Sequence, residues 1–313
     1  GFENKGWKPW RLQSGLEVEV PEDFNTTVDE AGNTYLYAAG DMNYPPASVM
    51  PKDGFFFDHI ERGNIPFDED IRGGREDFKD DFSVMTDEEV RRIEDRCNYF
   101  YNNTEYGMIG GGAIAGLGDF AMVPGPNVKE PKGIRSIPDF MMAHMICPEY
   151  IHEIFEYQTE IALKNAELFR EACGDKIQAL CISGTDFGTQ NGPFMSLDSF
   201  REFYKPYYKK INDWVHKNTS WKTFYHSCGA VSDFLQDFYE MGVDILNPVQ
   251  LSAKGMDGKM LKNQWGDKFT FWGGGVDTQR TLPFGTPEEV YKEVTERLEL
   301  FSKGGGFVFN TVH

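Results

Sequence analysis

The tetrapeptide His226-Ser227-Cys228-Gly229 is the part of the sequence whose residue types and spacing most directly indicate chemistry. A short apolar and aromatic run, residues 221–225, leads into it. In an extended strand alternate side chains point to the same face, so the imidazole of His226 and the thiol of Cys228 are expected on one side. Imidazole and thiolate are ligand types that zinc prefers. The spacing therefore predicts two ligands of a zinc site at the end of a strand.

Each member of this pair also has a purely structural interpretation. His226 by itself could be a histidine at a strand end, bonded to the protein around it, and Cys228 by itself could be a small core residue. The pair is also incomplete, because catalytic zinc takes three protein ligands and keeps an open position. A third ligand is expected from another strand end, where the candidates are first His313 and then Asp277, Gln250 and Asp186.

The charge of the chain excludes some classes of partner. Its 313 residues hold 31 Lys and Arg against 50 Asp and Glu, which gives a formal net charge of −19. Such a chain repels nucleic acid and anionic membrane surfaces. The sequence contains no apolar run of about 18 residues, and its polar start does not resemble a signal peptide. The many acidic residues between 53 and 81 predict a solvated loop, with a docking face for a basic partner as the alternative.

The cysteines indicate the compartment. They are five in number, scattered, and contain no CxxC pair, which fits a reducing environment and mostly buried thiols. A cytoplasmic protein is therefore expected, and the spacing excludes a closed four-cysteine zinc site. The five residues are Cys97, Cys147, Cys173, Cys181 and Cys228.

The first part of the chain predicts a β-hairpin. Residues 16–20 alternate between apolar and charged types, as a half-exposed strand does. Residues 29–33 contain the turn formers Asp, Gly and Asn, and residues 34–38 resemble a returning strand. We therefore expect residues 1–81 to form a hairpin followed by the acidic loop.

From residue 82 onward the pattern alternates between strand and helix. Capping boxes begin at Thr86 and Thr286, a long amphipathic helix is predicted over 148–172, and Pro206 is expected to bend the helix over 197–217. About six strand–helix repeats occur without a GxGxxG fingerprint or a P-loop. This favours a (β/α)8 TIM-type barrel, α/β in class, folded as one domain over 1–313. The predicted strands cover 106–112, 177–182, 221–225, 243–246, 269–272 and 307–310.

Polar and glycine residues follow these strands one after another. In a TIM-type barrel the loops after the strands carry the function, so these residues are expected along one rim. The glycines could instead serve tight turns, and the aspartates could be turn formers or helix caps. In chain order the residues are Gly110, Gly111 and Gly112; Asp186 and Gln190; His226 and Cys228; Asn247 and Gln250; Gly273, Gly274, Gly275 and Asp277; and Asn310 and His313.

Three stretches give the chain a resemblance to the uroporphyrinogen decarboxylase superfamily, which includes corrinoid-dependent methyltransferases. As a set they are specific to the superfamily and much less specific to one activity within it. The resemblance covers most of the chain after about residue 106. The stretches are GTDFGTQNGPFMSLDSFREFYKPYYKKI (184–211), FYHSCGAVSDFLQDFYEMGVDILNPVQ (224–250), and FWGGGVDTQRTLPFGTPEEVYKEV with GGGFVFNTVH (271–294 and 304–313).

The resemblance implies a TIM-type barrel whose first strand and C-terminal helix lie outside this sequence. In the methyltransferase branch an HxC pair and a later cysteine hold zinc; His226 and Cys228 match the pair, but the later cysteine is missing. In the decarboxylase branch the same region ends in an FNxxH-like stretch, which Phe309, Asn310 and His313 match. The arginine-rich motif and first-strand aspartate of the decarboxylases are not found here.

Methyl transfer is the first functional hypothesis, with zinc as a Lewis acid or thiol holder and a corrinoid carried by a partner protein. The substrate would be a small methylated compound, and a homodimer is left open. Porphyrinogen decarboxylation is the alternative; the net charge opposes its polyanionic substrate. A non-catalytic barrel that binds a small molecule is a third interpretation. Under methyl transfer we expect Asp186, Asp277 and His313 as catalytic residues; Gln190, Asn247, Gln250, Gly111 and Gly274 as substrate-binding residues; and His226, Cys228 and His313 as metal ligands.

Overall fold

The computed structural model describes residues 6–65, 73–111, 114–119, 125 and 127–311. The chain divides into two compact units, Gly1–Ser83 with Gly118–Tyr157, and Val84–Leu117 with Gln158–His313. That residues 1–313 fold as one domain stays a prediction. No helix in the described ranges has both the length and the apolar composition to cross a membrane.

Short antiparallel strands form two sheets in the first unit. One is the two-stranded pair β1 and β2, and the other has four strands in the order β3-β4-β5-β6. The strands are β1 (Trp7–Arg11), β2 (Glu17–Pro21), β3 (Thr26–Val28), β4 (Thr34–Leu36), β5 (Ser48–Met50) and β6 (Asp58–His59).

The pairing of these strands corrects one detail of the predicted hairpin. Both strands exist as β2 and β4, but they lie in different sheets. The turn at 29–33 joins β4 to β3, with Asp29 N donating to Asn33 O at 3.0 Å. A tight turn pairs the residues that flank it, and the β-branched run Thr26-Thr27-Val28 is nearer to this turn than residues 16–20 are.

The acidic stretch of this unit is not solvated throughout, contrary to the prediction. The side chain of Asp81 is 3% exposed and that of Arg135 is fully buried. Two guanidinium nitrogens of Arg135 donate to the two carboxylate oxygens of Asp81 at 2.7 and 2.9 Å, and the guanidinium carbon lies 4.0 Å from the ring centroid of Phe78. A buried carboxylate needs such a partner, which composition alone does not reveal.

A parallel sheet is the centre of the second unit. Within the described residues it has six strands in the order β7-β8-β9-β10-β11-β12, so strands consecutive in the chain are also neighbours in space. This is the repeat of a TIM-type fold, and it brings the carboxyl ends of all six strands to one edge. The strands are β7 (Ile109–Gly110), β8 (Ala179–Ser183), β9 (Lys222–His226), β10 (Ile245–Asn247), β11 (Thr270–Trp272) and β12 (Phe307–Val308).

The helices confirm most of the predicted boundaries. Thr86 and Thr286 both form capping boxes, and the predicted bend at Pro206 is a break between two helices around Tyr204. The helix α3 was not predicted, because its apolar run has no helical periodicity, and neither were the four-residue helices α1 and α9. The helices are α1 (Gly74–Asp77), α2 (Asp87–Asn103), α3 (Ile137–Ile146), α4 (Pro148–Cys173), α5 (Leu197–Phe203), α6 (Lys205–Asn218), α7 (Leu235–Glu240), α8 (Gly258–Trp265), α9 (Thr281–Phe284) and α10 (Pro287–Phe301), with short 3-10 turns at Ala38–Gly40, Gly174–Lys176 and Ser232–Phe234.

An aromatic cluster anchors the loop that follows β8. Phe187 in this loop is fully buried, and its ring centroid lies 5.0 Å from Phe200 and 5.1 Å from Tyr204. Since Phe187 directly follows Asp186, its burial fixes where that carboxylate emerges. Other rings around Phe187 belong to Tyr208, Tyr225, Phe234 and Phe238.

We predict that Phe187→Ala lowers the free energy of unfolding by about 3–5 kcal/mol, because it removes a buried ring and leaves a cavity. Phe284→Ala is the matched control, since that ring is 85% exposed, and it should change the value by no more than about 0.5 kcal/mol. Urea titration followed by fluorescence measures both. Equal effects of the two substitutions would show that Phe187 is not an anchor.

Candidate metal centre

The ends of β8 and β9 bring a carboxylate, an imidazole and a thiol together. The side chains are Asp186, His226 and Cys228, whose ligand atoms all lie within 4.8 Å of one another. His226 Nε2 is 3.4 Å from Cys228 Sγ and 3.8 Å from Asp186 Oδ1. His226 and Cys228 therefore share one side of the chain, as their spacing predicts. The three groups form a possible metal-binding triad that is compatible with zinc.

A hydrogen bond from the next strand fixes the orientation and tautomer of the histidine. The parallel register places Asn247, the last residue of β10, opposite His226. Asn247 Nδ2 donates to Trp272 O at 3.1 Å, so its Oδ1 is the atom that faces His226 Nδ1, at 2.7 Å. An amide oxygen can only accept, and Nδ1 is therefore the protonated nitrogen. The lone pair is left on Nε2, which faces Asp186 and Cys228.

The loops after β8 and β9 are joined by a side-chain hydrogen bond and by a close approach of their backbones. The Ser227 hydroxyl accepts a hydrogen bond from Phe187 N at 2.9 Å. A Cβ atom on Gly229 would lie 2.3 Å from Gly188 O, and Gly229 has φ +86°. Only glycine fits that approach and that backbone conformation. The glycine at the end of the predicted motif His226-Ser227-Cys228-Gly229 is therefore required for steric reasons.

The surroundings of the Cys228 thiol oppose its deprotonation. Burial, and after it the negative charge of Asp186 and a hydrogen bond to it, raise the pKa of Cys228 to about 12. Asp186 Oδ1 also accepts a hydrogen bond from Cys228 N at 2.7 Å. A divalent cation between these groups would reverse this balance, since it favours the deprotonated thiol and carboxylate.

The cluster is reachable from solvent. The side chains of Asp186 and His226 are 41% and 31% exposed, and Cys228 is half-buried. Catalytic zinc has three protein ligands and one open side, whereas structural zinc has four protein ligands and is closed. The solvent-accessible triad corresponds to the first arrangement.

The other predicted residues take varied places. Asn247 orients His226, and Gln250 Nε2 donates a hydrogen bond to Gln190 Oε1 at 2.7 Å.

Asp277 lies outside the triad. Its Oδ1 accepts from Gln279 N and Arg280 N in a turn, which is the alternative role considered for it. The two glycines predicted to bind substrate both have positive φ, Gly274 beside the Val249 backbone and Gly111 beside the Phe169 ring. His313, predicted as third ligand and catalytic residue, lies outside the described residues.

Asp186 was expected as a catalytic residue and, together with Asp277 and Gln250, as a weaker candidate than His313 for the third ligand. The structure brings it into the triad with His226 and Cys228. Its position directly after the strand next to β9 was the available signal, because neighbouring parallel strands end at the same edge. Ser227 was missed altogether as the residue that joins the two loops.

We predict that Asp186→Asn speeds alkylation of Cys228 in the metal-free protein at fixed pH. Removing the negative charge lowers the raised thiol pKa, and the thiolate fraction then grows about tenfold for each unit of the fall. Asp277→Asn, which changes a carboxylate outside the triad, should leave the rate unchanged. Mass spectrometry of the Cys228 peptide measures the rate, and no acceleration in Asp186→Asn would contradict the described electrostatics.

A solved structure supports the fold of most of the chain. A methyltransferase from Methanosarcina mazei superposes with a TM-score of 0.53 at 18% sequence identity, covering 81% of this chain. The present chain spans 65% of the length of that protein, just under two thirds. At this identity the likeness confirms the TIM-type fold. No curated protein sequence matches the chain.

The family is shown by the sequence itself. The profile of the uroporphyrinogen decarboxylase (URO-D) family matches residues 129–313, which is more than half of the chain. The match includes β8 to β12 and all three residues of the triad. The chain therefore belongs to the uroporphyrinogen decarboxylase family.

Proposed function

We propose that the chain is a zinc-dependent methyltransferase that moves a methyl group between a small methylated donor and a corrinoid protein or a thiol acceptor. The observation that carries this proposal is the orientation of His226. Its Nδ1 proton is bound by Asn247, so the Nε2 lone pair faces the thiol of Cys228 and the carboxylate of Asp186. Such a donor set fits zinc, and it has no evident role in decarboxylation.

Three side chains of this chain would hold the ion, namely Asp186, His226 and Cys228. A bound zinc ion supplies a Lewis acid that polarises the leaving atom of a methyl donor or keeps an acceptor thiol deprotonated. Asn247 retains the Nδ1 proton and thereby keeps Nε2 available. The buried Phe187 and Ser227 fix the two loops, so that the groups need little rearrangement. His313 stays a prediction for a further ligand or catalytic group.

Several features support methyl transfer in particular. The M. mazei protein that shares the fold is a methyltransferase. His226 and Cys228 match the HxC pair that the resemblance implies for the methyltransferase branch. The absent later cysteine of that branch has a substitute in Asp186, which supplies an oxygen ligand in place of sulfur. A corrinoid protein is proposed as partner from the same resemblance. The five free cysteines favour a cytoplasmic location.

Decarboxylation of a porphyrinogen is the competing function. The family match and the FNxxH-like stretch at 309–313 favour it. Its substrate carries many carboxylates and requires cationic groups, which the net charge of −19 does not suggest. This reaction needs no metal, so metal binding separates the two proposals.

We predict that the purified protein binds one equivalent of zinc and that Cys228→Ala loses most of it. Breaking the triad removes one of three ligands, whereas Cys147→Ala removes a half-buried thiol elsewhere and should retain wild-type zinc. Elemental analysis after dialysis against a weak chelator measures the content. A wild-type protein without stoichiometric zinc would remove the basis of the proposed function.

We predict turnover with a reduced corrinoid protein and a small methylated donor. Methyl transfer changes the cobalt absorption spectrum. In Asp186→Ala the rate of that change should fall by at least the same factor as the zinc content. The panel of donors should contain methoxylated aromatics and methylamines. Consumption of uroporphyrinogen without added corrinoid, together with an unchanged cobalt spectrum, would support the decarboxylase instead.

A further inference from the structure

A chain of amide hydrogen bonds connects the loop after Cys228 to two other loops. Gly229 N donates to Gln250 Oε1 at 2.8 Å, and Gln250 Nε2 donates to Gln190 Oε1 at 2.7 Å. Gln190 Nε2 then donates to Ser252 O at 2.6 Å. The loops that follow β8, β9 and β10 are thus joined by two side chains.

The donor and the acceptor are determined for each of these three hydrogen bonds. The chain of bonds begins at a backbone N–H, which can only donate, and ends at a backbone carbonyl, which can only accept. Each glutamine amide therefore has one possible orientation. Gln250 is 6% exposed, so an unpaired amide there would be costly. Both the Oε1 and the Nε2 atom of Gln250 have a hydrogen-bond partner.

Two side chains hold the backbone around the thiol. Cys228 N donates to Asp186 Oδ1 at 2.7 Å, and Gly229 N donates to Gln250 at 2.8 Å. The carboxylate of Asp186 would be shared with a bound cation, so its hold on the loop changes when metal binds. The Gln250 amide is uncharged, and both of its ends are bonded to protein groups, Oε1 to Gly229 N and Nε2 to Gln190 Oε1, so its hold does not involve the ligand atoms of the triad.

We propose that Gln250, braced by Gln190, is the positioning residue for the Cys228 thiol, a role different from the substrate contact predicted for both glutamines. Without the bond to Gln250, Gly229 N loses its acceptor, and the peptide after Cys228 is held less firmly in the position that sets Sγ relative to His226 Nε2. The expected loss of zinc affinity rests on the proposed zinc site. The expected change in the position and alkylation rate of the Cys228 thiol does not depend on that proposal.

The test compares Gln250→Met with Gln250→Glu and Gln236→Met. Gln250→Met keeps the length of the side chain and removes the acceptor; Gln250→Glu keeps an oxygen for Gly229 N. Gln236→Met removes a glutamine that bonds only to Glu240 in the described structure, on the surface of α7. Three quantities are measured: zinc affinity by chelator competition, the thiolate-to-metal absorption band after Co²⁺ substitution, and the alkylation rate of Cys228 in the metal-free protein.

We expect Gln250→Met to weaken zinc binding about 10–100-fold, as other residues that support metal ligands do. The cobalt–thiolate band should shrink, and alkylation of Cys228 should accelerate about tenfold through local opening. Gln250→Glu keeps the acceptor for Gly229 N but loses the donor to Gln190, so it should lose less zinc affinity and less of the cobalt–thiolate band than Gln250→Met. Gln236→Met should be unchanged in all three quantities. A lower melting temperature in Gln250→Met with all three quantities unchanged would overturn the proposal.

Two further outcomes remain decisive. If the wild-type protein binds no zinc, the proposed function fails, and the alkylation rates alone then support or refute the positioning role. If Gln250→Met does not fold, Gln190→Met replaces it, because this half-buried residue acts on Gly229 only through Gln250. That variant should move all three quantities in the same direction by a smaller factor, and no movement would refute the positioning role.

Discussion

The hydrogen bond between His226 Nδ1 and Asn247 Oδ1 is the constraint on which the candidate site depends. It decides which imidazole nitrogen carries the proton, and so whether the lone pair faces the thiol and carboxylate. The bond follows from the fold, because the register of β9 and β10 places the two residues side by side. A shift of one residue would send their side chains to different faces, so the parallel pairing sets the chemistry of the site.

The electrostatics of the site follow from the same arrangement. A thiol and a carboxylate beside one imidazole cannot both be charged at low cost without a cation. Burial, and after it Asp186, raise the pKa of the Cys228 thiol to about 12. Metal binding at such a site releases a proton, which couples affinity to pH. The acidic character of the whole chain strengthens attraction for a cation and opposes a polyanionic substrate.

Much of this organisation could be read from the sequence because its determinants are local. Capping boxes at Thr86 and Thr286, the apolar strand β8 and the HxC spacing each depend on a few neighbouring residues. The partners that were missed depend on the pairing of distant segments. The strand at residues 16–20 pairs with β1, and Asp186, after β8, meets His226 at the end of the neighbouring strand β9. The roles of Gln190 and Gln250 likewise required the loop geometry, since an amide alone does not reveal its partner.

X-ray absorption at the zinc edge on the wild-type protein, loaded with one equivalent of zinc, tests the central claim most directly. Coordination by Asp186, His226 and Cys228 predicts a single sulfur at about 2.3 Å, nitrogen and oxygen at about 2.0–2.2 Å, and the outer-shell scattering of one imidazole. A shell of nitrogen and oxygen without sulfur, or a shell with two sulfurs, would contradict the assignment of this triad as the metal site.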